Sequence, residues 1–115
     1  MSAQAISLLT LSLALTASAT ANRFVTPAGA QAGADANTLG VTRTTGVSAD
    51  KVPVDILGTA VVEAGAAVAA GATVKSDSTG LAITWVTSGA KVGLALEAAT
   101  AAGQFIEVLL IPNVA

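Results

Sequence analysis

An all-β fold, a small antiparallel β-sandwich or barrel-like domain with an extended N-terminal strand or arm, is predicted by three features of the sequence. Short runs of aliphatic and β-branched residues are separated by Gly, Pro, Asp and Ser turn signals at intervals of roughly eight to twelve residues. The last of these runs reads as a hairpin. No stretch combines the length and the freedom from glycine that a long helix needs.

Taken in order, Leu9, Leu11, Leu13 and Leu15 alternate with Thr10, Ser12, Ala14 and Thr16, which is the two-residue period of a strand. Residues 1–21 are therefore expected as an N-terminal β-arm or edge strand, and residues 22–115 as a single β-domain. Residues 7–21 also have the length of a signal-peptide apolar region and end in small-x-small steps, but no cation precedes them, the first being Arg23. They are too short and too rich in Ser and Thr for a membrane span.

Residues 22–26 (NRFVT) form a second strand that stops at Pro27, and residues 28–38 a small-residue loop. Residues 40–45 alternate again, and 46–50 turn the chain. Residues 52–57 are a strand that Pro53 places at an edge or at its first position, and Gly58 is expected to turn it sharply into residues 59–63. In residues 64–72, AGAAVAAGA, alanine favours a helix, but Gly65 and Gly71 leave room for one turn at most, so this is a connection. Strands at 73–76 and 81–86 flank the turn Asp77-Ser78-Thr79-Gly80, and Ser88-Gly89 leads into the hairpin at residues 91–111. In its second half Ile106, Val108 and Leu110 share one wholly aliphatic face, which should be core; Phe105, Glu107 and Leu109 share the other.

With 115 residues, of which 53% are hydrophobic, 3% aromatic and 10% charged, the core must be built from Ala, Val, Leu and Ile. The surface is correspondingly poor in charge, which suits a protein whose surface is largely covered by neighbours. A net charge of −2, with five cations spread singly, leaves no basic patch and argues against a nucleic-acid partner. The absence of Cys and His removes thiol nucleophiles, the usual general base and the commonest transition-metal ligand. No catalytic residue, metal site or cofactor is expected.

Asp77 to Gly80 lacks the spaced acids and distal Glu of a calcium loop and reads as a turn. Asp55, Glu63, Glu97 and Glu107 have no spacing that fixes a glycosidase pair, and are expected to be solvated. Candidate interface residues are Leu9, Leu11, Leu13 and Leu15 on the N-terminal strand, and Arg23 and Arg43, which could pair with a partner's carboxylate. Trp85 joins them, expected as a core residue or an interface anchor rather than a ligand-stacking platform.

The pattern VGLALEAA at residues 92–99, followed by AGQFIEVLL at 102–110, resembles the end of the short capsid decoration, or cement, proteins of tailed bacteriophage heads. AVVEAG at 60–65, VAAGATV at 68–74 and DSTG at 77–80 are similar to the same family at the same spacing. The resemblance covers residues 52–110 and implies a non-enzymatic virion protein on the outer surface of the capsid, without cofactors. Its implied partners are the major capsid protein and other copies of itself, as a trimer or dimer, with no nucleic acid or membrane. The alternative is an exported β-domain acting as an adhesin or carbohydrate-binding module, whose mature chain would start near Asn22. An enzyme subunit completed by a partner is a third reading.

Overall fold

The computed structural model describes residues 4–111, and within them eight strands follow one another. They are β1 (Ser7–Ala14), β2 (Phe24–Val25), β3 (Gly40–Thr42), β4 (Lys51–Glu63), β5 (Thr73–Ser76), β6 (Ala82–Thr84), β7 (Gly93–Ala95) and β8 (Phe105–Leu110). The outer limits of the two expected segments, at residues 1–3 and 112–115, lie outside the described residues. No helix occurs among the described residues, and the alanine-rich stretch 64–72 is a connection as its glycines require.

The sheet runs in the order β2-β3-β4-β8-β7-β5-β6, with β1 paired to β4 beside this path. Every ladder is antiparallel. The sheet curls until its ends nearly meet: Ala82 in β6 bridges to Ala64 just past β4, and the Phe24 amide of β2 donates to the Gly80 carbonyl. Of the two architectures the sequence allows, this is the barrel-like one.

β4 departs from expectation in two ways, both physical. Gly58 does not turn the chain; 51–63 is one continuous strand, and Gly58, at φ +98°, sits opposite a register irregularity in β1. A Cβ there would collide with the Ile6 carbonyl oxygen, so glycine is what lets β1 approach. Pro53 lies third in this central strand rather than at an edge. Its carbonyl accepts the Arg43 amide at 3.0 Å, yet it has no amide to return, and β3 stops at Thr42 just before that pair.

The final hairpin forms as β7 and β8, with Leu94 opposite Leu109 and Ala95 opposite Val108. Its connection is longer than the sequence suggests because residues 96–104 are drawn aside, where Ala99 bridges to Val68. Ile106, Val108 and Leu110 are buried as their alternation predicts. They join Phe24, Val62, Val74 and Val92 in the larger of two apolar clusters. The smaller contains Leu15, Ala19, Val25, Val52 and Val54. β4 supplies both clusters, which ties β1 and the segment after it to the rest of the barrel.

Candidate functional site

β1 is covered on neither face. Leu8 is 78% exposed, and Leu9 and Leu11 are exposed too, whereas Leu13 is half-buried and Leu15, just past the strand, is 3% exposed and part of the smaller core. The four alternating leucines thus divide: the last belongs to the fold, the first two are displayed. Leu11 and Leu13 lie opposite Val54 and Val52, so pairing within the chain sets which way the leucine face turns. Among the described residues β1 pairs with β4 and with no other strand, and it carries neither charge nor proline. Edges left in water ordinarily carry such residues to repel further strands.

Of the acids in ion pairs among the described residues Asp55 is the most buried, and its partner Arg43 is half-exposed. Arg43 Nε donates to Asp55 Oδ1 at 2.7 Å, and the Thr10 hydroxyl donates to the same oxygen at 2.9 Å, linking β1, β4 and the residue after β3. The expectation that sheet-face carboxylates are solvated therefore fails at Asp55, because two donors replace the lost water. Arg23 is held more loosely, with a nitrogen 3.7 Å from Glu63 and another 3.4 Å from the Thr79 carbonyl, while its buried Nε has no partner.

Trp85 is not a core residue. It is half-buried just past β6, its indole N–H donates to the Gly89 carbonyl at 2.9 Å, and Lys91 lies 4.4 Å above its ring. The largest buried side chain is Phe24 instead. Asp77 is used by its own turn, its Oδ1 accepting the amides of Thr79 and Leu81.

Beside Trp85, Lys75 Nζ lies 2.7 Å from Asp35 Oδ1 and donates to the Ser88 carbonyl, joining β5 to two loops. The Lys75 hydrogen bond holds the Asp35 carboxyl below the ordinary 3.8, against the opposing effect of burial. A lowered folded-state value means the contribution is present above the unfolded pKa and is lost as pH falls through the folded one. Lys75→Met should move the Asp35 titration upward, towards 3.8, in a carboxyl-detected NMR titration. An unchanged midpoint would contradict the pairing.

The outer face of β4, β8 and β7 is the feature that site-by-site reading of the sequence passed over. Val61 lies opposite Glu107, and the Leu96 amide bonds the Glu107 carbonyl, so Val61, Glu107 and Leu96 form a row across three chain segments. Along β8, Phe105 and Leu109 lie two residues to either side on the same face. Phe105 is 52% exposed, whereas Glu107 is 3% exposed, with these four apolar residues as its neighbours on the face and Thr59 and Glu63 diagonal to it on β4. The Glu107 amide donates to Glu97 Oε1 at 2.9 Å, so a second carboxylate extends the ladder where β7 ends. Alternation in β8 already placed this glutamate between Phe105 and Leu109; its burial was not visible there.

Among the described residues no group of three or more Asp, Glu, His or Cys could hold a metal ion, and no helix is long and apolar enough to cross a membrane. What the molecule displays is an uncharged strand and an apolar sheet face. The family model for phage cement proteins matches residues 3–110. The chain belongs to the phage cement protein family. This cement protein is accordingly a structural protein of the phage virion, located at the capsid surface. The crystal structure of the head fiber gp8.5 N base in bacteriophage phi29 shares its fold, with a TM-score of 0.70 at 17% identity, covering 90% of this chain and 93% of that one. No curated protein matches the sequence. The family match includes residues 7–21, the stretch that the exported alternative would remove.

Proposed function

We propose that this cement protein binds the outer surface of the phage head as a homo-oligomer and stabilises the lattice of the major capsid protein, without catalysis. The observation that carries the reading is β1, an uncharged strand with one ladder and leucines displayed on both faces. Such an edge is suited to receive an extended segment of a neighbour, with backbone hydrogen bonds giving affinity and the leucines apolar contact. Arg23 and Trp85 remain candidate contacts at its periphery, and Arg43 keeps a half-exposed guanidinium beyond its bond to Asp55. The stabilisation is mass action: a ligand of the assembled lattice that does not bind the loosened one shifts the equilibrium towards the intact shell. Weak contacts suffice when each oligomer spans several capsid subunits, because linked sites raise effective concentration.

The test uses heads prepared without the cement protein. Adding it should coat them, seen by cryo-EM, and raise their rupture temperature. Failure of the wild-type chain to do either rejects the reading. The double variant Leu8→Lys, Ser12→Lys places charges on exposed positions of β1 and should abolish coating, with a change in melting free energy of no more than about 0.5 kcal/mol. Normal coating by that variant removes β1 from the contact and leaves the lattice function standing.

A further inference from the structure

Glu107 is a buried acid without a cation. Four of the chain's five cations have partners of their own: Arg23 with Glu63, which lies opposite Phe105 at the edge of the face that carries Glu107, Arg43 with Asp55, Lys75 with Asp35, and Lys91 over Trp85. The fifth, Lys51, lies ten residues up β4 from Val61, the cross-strand neighbour of Glu107, a separation of about 33 Å at the usual rise per strand residue. None of the ion pairs among the described residues includes Glu107, and Glu97 beside it adds negative charge rather than neutralising it. The Glu107 carboxylate oxygens are not sealed from solvent, so they open to the surface between apolar neighbours, where a carboxylate short of water gains from a cation brought to it.

We infer that this face is a seat for one Lys or Arg side chain of the capsid shell protein. The stem of that side chain lies on Phe105, Leu109, Leu96 and Val61, and its charged head reaches Glu107 and Glu97. This rests on the proposed binding to the head and names the chemistry of the contact. Long cationic side chains lay their methylenes along apolar surface while the head group seeks a carboxylate, and this face offers both within one sheet row. A second copy of the chain is the weaker fit as the occupant, since among the described residues four of its five cations already have a partner within their own chain. The seat also abuts β1: the Thr59 hydroxyl accepts the Ile6 amide, and Thr59 lies opposite Leu109.

The experiment measures binding of Glu107→Gln and Leu109→Lys to heads lacking the cement protein, across a salt series, with a melt of each free variant. Glu107→Gln keeps the shape and removes the charge, and should bind at least tenfold more weakly with a flatter salt dependence. Leu109→Lys supplies a cation within the chain, and should also bind at least tenfold more weakly while melting no lower than wild type. A photo-crosslinker at position 105 should capture the shell protein on coated heads. The inference is overturned if both variants bind like wild type, or if the crosslinker captures another cement chain or nothing. If wild type coats heads and the variants do too, the seat alone fails; if wild type coats no heads, the proposed function fails with it.

Discussion

Phe24→Ala is expected to cost about 3 to 5 kcal/mol, and with it about 12 to 20 °C of melting temperature for a domain of this size. Phe24 is fully buried in β2, where its amide donates to Gly80 and its carbonyl accepts from Ala32. Its side chain is therefore held where the two ends of the sheet approach each other. The chain has only two Phe and one Trp, and of these Phe24 alone is in the core. Around it the larger cluster consists mainly of Val and Ala, whose short, stiff side chains cannot move in to fill the space a ring leaves. Total stability for 115 residues is on the order of 6 to 17 kcal/mol, so this one substitution removes a large fraction of it. The control is Phe105→Ala on the exposed face, which should cost about 1 kcal/mol or less. Calorimetric melts of both variants decide the matter: equal losses would mean that Phe24 does not organise the core.

What the sequence made legible follows from where its signals are local. Alternation in β1 and β8, the glycines around residues 64–72, and the Asp77 to Gly80 turn each depend on a few neighbouring residues, and each took the form those residues dictate. Gly58 and Pro53 were misread because their meaning is set by distant chain. Gly58 answers to the Ile6 carbonyl, and Pro53 to a strand that ends opposite it. For Trp85 the sequence allows core or interface anchor, and a lysine and a carbonyl from the following loop, giving it a half-buried surface position, remove only the first. The candidate surfaces divide in the same way. The alternation of Leu9, Leu11, Leu13 and Leu15 was visible as a pattern, but which of them are exposed, the exposure of Leu8 outside it, and the burial of Glu107 all needed the register of neighbouring strands. A single chain read along its length cannot supply that register.

Arg43→Met is expected to destabilise the protein by about 3 kcal/mol, because it leaves a buried carboxylate without its cation. Asp55 is 2% exposed, and after the substitution its Oδ1 would keep only the Thr10 hydroxyl of its two present donors. The half-exposed position of the Arg43 side chain lets water recover part of the loss, which places the effect at the lower end for buried pairs. Arg43→Lys should recover little, since the bonded atom is Nε, in mid-chain, and a lysine carries its charge beyond that point on a flexible stem. The double variant Arg43→Met, Asp55→Leu should be more stable than Arg43→Met alone, because no charge is then stranded, and the cycle should yield a coupling of about 2 kcal/mol. A coupling near zero would mean that the 2.7 Å contact contributes nothing to the fold, leaving Arg43 free for a partner. A large coupling assigns its Nε to the joint between β1, β3 and β4. Loss of capsid coating by an Arg43 variant would then have to be read through the position of β1 rather than through a lost contact with the shell.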